Sequence, residues 1–264
     1  MNLNLKNLKT KLYHNLIPKV IYKKPGELPY KLLQQLEHIY QQKYYHLGNL
    51  DAFAEGLMVF IPAKLRFLEK PLKKLPKKYT LHLLVGFTTD TYDLLGLVKK
   101  YNYKKAYTYK GLKSLIYLNL QSLQSMRWQI PPKVSYKNLS KPYLLKLFRE
   151  SGTKKLPNLK PTIAYIKYFK ITGAYYIKKD FLVNYILNNA KKINKDYRQD
   201  KIINRYLYLK SANRLSNEFL IVKIDLEVSS GFYVRSLVRD LSKSLKIPFV
   251  SYKIVRKSLG IWSV

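Results

Sequence analysis

Cysteine is absent from the 264 residues. Disulfides, iron–sulfur clusters and cysteine-ligated zinc are therefore excluded. Histidine is scarce: His14, His38, His46 and His82 are the only four. None has the paired spacing of a metal site, so neither a metal nor another cofactor is expected. Acidic residues are few, 15 Asp and Glu against 50 Lys and Arg. Long apolar runs are missing too. Residues 1–13 alternate Leu with Asn and Lys and lack the apolar block of a secretory signal. No stretch elsewhere is apolar enough to span a membrane. These absences speak against membrane-spanning and disulfide-stapled classes and leave a cytoplasmic protein as the expectation.

What the chain has is positive charge, a formal net +35 at pH 7. Self-repulsion of that size weakens a compact state unless a polyanion offsets it. Nucleic acid is the fitting partner, because Lys and Arg gain affinity by displacing counterions from phosphates. The competing reading is compositional: abundant Lys, Asn, Tyr and Ile also mark an AT-rich genome. Apolar residues make up 47% of the chain, enough for a real core. The 25 tyrosines suit base stacking as well as strands and core.

Periodicity supplies the elements. Residues 17–22 read as a strand, followed by a Lys24-Pro25-Gly26 turn. Pro29 suits a first helical turn, and Leu32, Leu33, Leu36, Ile39 and Tyr40 recur at helical spacing. Strands are expected at 57–61, 77–87, 126–130, 163–176, 218–228 and 249–255. Within the second of these, Tyr79, Leu81, Leu83 and Val85 share a face. Helices are expected at 107–119, 143–149, 181–192 and 233–245. Residues 88–96 read as a polar loop and 191–205 as a strongly basic stretch. Ser151-Gly152 ends one helix. Helices and strands mix without regular alternation, which predicts an α+β protein with a mixed, mainly antiparallel central sheet flanked by helices.

One segment carries chemistry. His46-Leu47-Gly48-Asn49-Leu50-Asp51-Ala52-Phe53-Ala54-Glu55-Gly56-Leu57 resembles the TruB signature His-x-Gly-x-Leu-Asp-Pro-x-Ala-x-Gly. By itself such an aspartate could also cap a helix or form a turn. Further matches follow in the same order. Lys24-Pro25-Gly26 resembles the Lys-Pro-x-Gly turn, and Lys77-Lys78-Tyr79 the Lys-Arg-Tyr strand start. Gly86 with Thr89-Asp90-Thr91-Tyr92-Asp93-Leu94-Leu95-Gly96 resembles Gly-x-x-Thr-Asp-Thr-x-Asp-x-x-Gly. Ile130-Pro131-Pro132-Lys133-Val134-Ser135 resembles the Pro-Pro-x-x-Ser loop. Ser230-Gly231-Phe232-Tyr233-Val234-Arg235-Ser236-Leu237 resembles Gly-x-Tyr-Ile-Arg-Ser-Leu. Val255-Arg256-Lys257-Ser258-Leu259-Gly260 resembles the Leu-Arg-Arg-x-x-x-Gly strand. Leu47 and Asn49 stand where threonine is frequent, and Ala52 replaces the proline.

The resemblance implies a pseudouridine synthase fold over residues 1–264, with a basic insertion at about 178–216 and no C-terminal PUA domain. It implies isomerisation of a T-loop uridine in tRNA, without a cofactor. Asp51 maps onto the catalytic carboxylate, which either attacks C1′ of the ribose or takes the 2′ proton. Arg235 maps onto its arginine partner; alone it reads as a phosphate or surface arginine. Tyr79 maps onto the residue stacked on the uracil, and its strand position also suits a core tyrosine. Tyr233, His46 and Asp90 map onto substrate-binding positions. The target base must leave its stack first. Lys64, Arg66, Lys70, Lys73, Lys74, Lys77 and Lys78 form a candidate backbone track, with a solvated charge run as the alternative. The partner is the tRNA T-arm, and a monomer without a membrane or obligate protein partner is expected. RluA- and RsuA-type synthases, which usually read Arg-Leu-Asp, fit less well. The alternative of another class is a non-catalytic basic RNA-binding protein or tRNA-folding chaperone, which has no need of Asp51, Tyr79 and Arg235 together.

Overall fold

The computed structural model describes residues 16–101, 107–134, 142–151, 153, 155–157, 160–193 and 198–264. The expectations for residues 1–13, Ser135, Gly152 and 194–197 fall outside the described residues. The elements run β1 (Lys19–Lys23), α1 (Pro29–Tyr40), β2 (Tyr44–His46), β3 (Glu55–Pro62), α2 (Glu69–Lys73), β4 (Lys77–Val85), β5 (Phe87–Thr89) and β6 (Val98–Tyr101). They continue with α3 (Tyr109–Ser122), β7 (Arg127–Gln129), α4 (Pro142–Ser151), β8 (Thr162–Ala164), β9 (Ile166–Lys178), α5 (Lys179–Ala190) and α6 (Gln199–Ser211). The last are β10 (Glu218–Val228), α7 (Val234–Ser244), β11 (Phe249–Leu259) and β12 (Trp262–Ser263).

The central sheet has the order β1-β3-β11-β4-β10-β9. β3 and β11 run parallel, and the other neighbouring pairs are antiparallel. Side-chain alternation divides two layers. Leu81, Leu83 and Val85 of β4, with Leu220, Val222 and Ile224 of β10, face one cluster. Val234, Leu237, Val238 and Leu241 of α7, at helical spacing, cover it together with Leu112, Ile116 and Leu120 of α3. Leu84, Phe219, Ile221, Val250 and Tyr252 point the opposite way. There α5 and α6 cover them with Leu182, Val183, Ile186, Ile202, Tyr206 and Leu209. The connection between the neighbouring strands β9 and β10 thus becomes a second helical layer.

The expected α+β architecture is present, and three local expectations are corrected. The polar loop at 88–96 turns inward: Thr88, Thr89, Thr91, Asp93, Leu94 and Leu95 are buried, and the turn's polar groups bond to one another. The basic stretch 191–205 runs into α6, whose buried Ile202, Tyr206 and Leu209 keep helical spacing among charges. β11 continues past Val255 to Leu259, because its backbone keeps pairing with β4 and β12 and carries the buried Arg256 within it.

Gly56 sits where β3 meets β11, paired with Arg256. Its φ is +114°, and an added Cβ would lie 2.3 Å from the Arg256 carbonyl oxygen. Neither the backbone angle nor the approach tolerates a side chain. Gly56→Ala is therefore expected to lower unfolding free energy by at least about 2 kcal/mol or to prevent folding. Urea denaturation checks this; a loss under about 0.5 kcal/mol, the range of neutral surface changes, would contradict it.

Candidate active site

The loop joining β2 to β3 carries Asp51. Leu50 and Phe53 on either side are buried and anchor it, Phe53 meeting the Tyr185 ring edge-on. The main chain is gripped by two buried cations. Lys23 Nζ donates to the carbonyls of Ala52 at 3.0 Å, Ala54 at 2.6 Å and Lys24 at 3.1 Å. Arg256 donates from Nε to Leu57 O at 2.6 Å and from Nη2 to Gly48 O at 3.0 Å. The Lys24-Pro25-Gly26 turn adds Gly26 N to Ala52 O at 2.9 Å. Charged donors make the stronger hydrogen bonds, so the loop is held through its carbonyls at both ends. Burial lowers the pKa of Lys23 to about 8.

The Asp51 side chain meets Arg235, from the first turn of α7. Arg235 donates Nε at 2.9 Å to Oδ2 of Asp51, and its Nη2 lies 2.7 Å from the same oxygen. Its Nη1 lies 3.3 Å from Asp93 Oδ2 and donates at 3.3 Å to Thr91 O. The guanidinium is 3% exposed, whereas Asp51 is 27% exposed. Burial opposes the charge of Arg235, but Asp51 and then Asp93 outweigh it and raise its pKa. Asp93 is pushed up by burial, against the pull of Arg235 and of the Thr91 hydroxyl, which donates at 2.6 Å. One carboxylate of the trio is thus enclosed, while the other faces a cavity.

That cavity measures about 300 Å³ and is lined by Asp51, Tyr79, Tyr233, Arg235, Lys77 and Arg256, among others. Tyr79 enters from β4. Tyr233 precedes α7, and Gln129 fixes its backbone: Tyr233 N donates to Oε1 at 2.7 Å and Nε2 donates to Tyr233 O at 3.1 Å. Burial first, then Asp51, raises the Tyr233 pKa. Asp51, Tyr79, Tyr233 and Arg235 therefore converge on one cavity.

His46 and Asp90 do not line it. His46 lies in β2 opposite Phe60; burial and Lys73 hold its pKa down to about 4, so the ring is neutral. Asp90 pairs with Arg198 at 2.9 Å. Of the expected basic track, Lys77 is buried and its Nζ donates to Lys73 O and Leu75 O at 2.5 and 2.6 Å. It is no surface contact. The residues that pattern reading passed over are Lys23, Asp93, Gln129 and Arg256. Three of them have a visible signal, since Asp93, Gln129 and Arg256 lie within or beside the matched motifs. Among the described residues no group of His, Asp and Glu is placed to hold a metal.

Residues 37–185 match the family described as TruB family pseudouridylate synthase (N terminal domain). The chain belongs to the TruB family. It is similar to tRNA pseudouridine synthase B of Caldanaerobacter subterraneus subsp. tengcongensis, 21% identical over 245 residues, covering 92% of this chain and 69% of that protein. The namesake from Thermotoga petrophila is 26% identical over 247 residues, covering 93% of this chain and 63% of its own. The fold is similar to that in the crystal structure of a Cbf5-Nop10-Gar1 complex, with a TM-score of 0.55 at 14% identity. A structure of an H/ACA RNP bound to a substrate RNA containing 2′-deoxyuridine gives 0.54 at 11%. Both cover 96% of this chain, which spans about half the length of those solved chains, 52% and 50%.

His82, which shares a hydrogen bond of 2.8 Å with the Tyr175 hydroxyl, is also lowered to about 4, first by burial and then by Lys253. An unfolded histidine titrates near 6.5. Below that pH the unfolded chain takes up protons that the folded rings refuse. Stability contributed by His46 and His82 is thus full above about pH 6.5 and is lost as pH falls toward about 4. In urea titrations, the stability difference between the parent and His46→Asn should shift against the parent between about pH 7 and 4.5. A pH-independent difference would mean that the folded ring titrates normally.

Proposed function

We propose that this cavity receives the flipped TΨC uridine of the tRNA T-loop and that Asp51 isomerises it to pseudouridine. The observation that carries the reading is the division of the Asp51 carboxylate. Arg235 Nε and Nη2 both approach Oδ2, which leaves Oδ1 for the substrate. The reaction breaks the N1–C1′ bond, turns the uracil and joins C5 to C1′. Oδ1 serves either route, attack at C1′ or removal of the 2′ proton, and each needs the anionic carboxylate that the guanidinium matches. Tyr79 supplies a face on which the uracil can stack. Tyr233 bounds the cavity close to Asp51, and His46 and Asp90 act from behind the loops that form it.

No described helix is long and apolar enough to cross a membrane, in keeping with a cytoplasmic enzyme. The chain reads as one catalytic domain, with α5 and α6 as an insertion between β9 and β10.

Incubation with unmodified tRNA transcripts and pseudouridine mapping tests the reading. Modification at the T-loop uridine is expected. Asp51→Asn keeps the shape and loses the charge, so turnover should fall roughly a hundred- to ten-thousandfold, with tRNA affinity within about threefold, the span of ordinary context effects. Near-normal turnover would remove Asp51 from the chemistry, and binding without any modification would favour the RNA-binding or chaperone alternative.

The basic run from Lys64 onward borders the cavity through Lys73. Lys73 pairs with Glu69 at 2.5 Å, and Lys78 lies 3.6 Å from Glu227. Lys64, Arg66, Lys70 and Lys74 are exposed and are the better phosphate contacts. Affinity should fall with salt at a log–log slope of about −0.7 to −0.9 per phosphate neutralised. Changing Lys64, Lys70 and Lys74 together to Gln should weaken binding to all tRNAs about equally and flatten that slope, with turnover at saturation unchanged. An unaltered slope in filter binding would assign these lysines to composition alone.

A further inference from the structure

Asp90 lies outside the cavity, yet its carboxylate is enclosed, 6% exposed against 5% for its partner Arg198. Enclosing two charges costs several kcal/mol per ion before their attraction repays it. The pair joins α6 to the turn that carries Asp93. Arg198 Nη2 donates at 2.9 Å to Asp90 Oδ2, while Asp90 Oδ1 accepts from Leu97 N at 2.9 Å. Arg198 stands just before α6 with φ at +62°, an uncommon conformation for a side-chain-bearing residue and one that the surroundings must hold. Its guanidinium also lies 4.2 Å from the centre of the Phe148 ring. Tyr206, fully buried on the same helix, feels both Asp93 and Asp90. Helix α6 therefore braces this turn through the Arg198–Asp90 pair, and Tyr206 shares an apolar cluster with Leu94 and Leu95 of the turn.

The turn is wired internally. Thr89 Oγ1 donates to Asp93 O at 2.6 Å, Thr91 Oγ1 to Asp93 Oδ1 at 2.6 Å, and Leu95 N to Asp93 Oδ1 at 3.0 Å. Asp90 N donates to Leu97 O at 3.1 Å and Gly96 N to Asp93 O at 3.2 Å. Gly96 leaves no room for relaxation, since a Cβ there would lie 2.4 Å from Thr91 Oγ1. The far side of the turn presents Asp93 Oδ2 and Thr91 O to Arg235, which holds Asp51. A displacement of Asp90 thus reaches Arg235 through bonded, buried groups.

We infer that Arg198 is a positioning residue for Asp51: the connection between β9 and β10 reaches back through Asp90 and the 89–97 turn to aim Arg235. The inference rests on Asp51 being the reacting carboxylate. It gives α5 and α6 a part in turnover rather than in RNA affinity.

The test compares Arg198→Met with Arg198→Lys, reading single-turnover rate at saturating enzyme, tRNA dissociation constant, and the NMR signal of the Arg235 Nε–H. Arg198→Met should slow the step roughly ten- to a hundredfold, the cost of misaimed groups, with affinity changed less than about threefold. The Arg235 Nε–H signal should move. Arg198→Lys, which keeps the charge, should recover at least half of the lost rate on a logarithmic scale. A rate within about twofold of the parent, below the effect of any misaimed group, or a loss confined to affinity, would overturn the proposal. If Arg198→Met does not fold, Asp90→Asn carries the test under the same outcomes, because it removes the ion pair from the other side. If the parent chain forms no pseudouridine, the proposed function fails. The Arg235 signal then decides alone: a shift in Arg198→Met upholds the positioning role, and an unmoved signal ends it.

Discussion

A guanidinium withdrawn from water keeps its charge only if partners replace the solvent. Arg235 finds them in Asp51 and Asp93 and in the carbonyl of Thr91. The arrangement is unequal. Asp93 is enclosed and held in place by the Thr91 hydroxyl and the Leu95 amide. Asp51 is partly open to the cavity and uses only one oxygen on the arginine. The enclosed carboxylate stabilises the arginine, the arginine aims the open carboxylate, and that carboxylate faces the cavity. Removal of the guanidinium would leave two carboxylates close together, so the trio stands or falls as a unit.

Around this trio, positive charge is used in two different ways. Exposed lysines and arginines suit a polyanionic partner. Lys23, Lys77 and Arg256 instead lie inside, where their side chains donate to backbone carbonyls. Carbonyls of a loop that forms neither helix nor strand would otherwise be buried without donors. The long cationic side chains reach several of them at once, which lets an irregular loop be both buried and rigid. A net charge of +35 therefore overstates the charge available at the surface.

Much of this was legible in the residues. Alternation located β4 and β10, and helical spacing located α1 and α7. The ordered motifs selected Asp51, Tyr79, Tyr233 and Arg235, which converge on one cavity. Other features were hidden for physical reasons. Lys23 ends a strand that reads Lys-Val-Ile-Tyr-Lys, and nothing in that pattern separates an inward lysine from a solvated one. The segment holding Thr89, Thr91 and Asp93 looks polar because its side chains are polar; their mutual bonding makes it interior, and that becomes visible only in three dimensions. Helix α6 was obscured because its first half belongs to a strongly basic stretch, while most of its apolar residues follow Arg205. Its tie to Asp90 spans 108 positions in sequence, beyond any local pattern.

The bonds from Arg256 to Gly48 and Leu57 span 208 and 199 positions. They place the loop of Asp51, near the start of the described chain, under the control of a strand near its end. During synthesis, β3 and the loop before it leave the ribosome long before β11 exists to receive them. Contacts of such high sequence separation form late and slow the folding of a domain. The consequence is a temporal order: the carboxylate is present early in translation, but its geometry is completed only when β11 inserts between β3 and β4, so the same strand joins the two parts of the sheet and fixes the loop of Asp51.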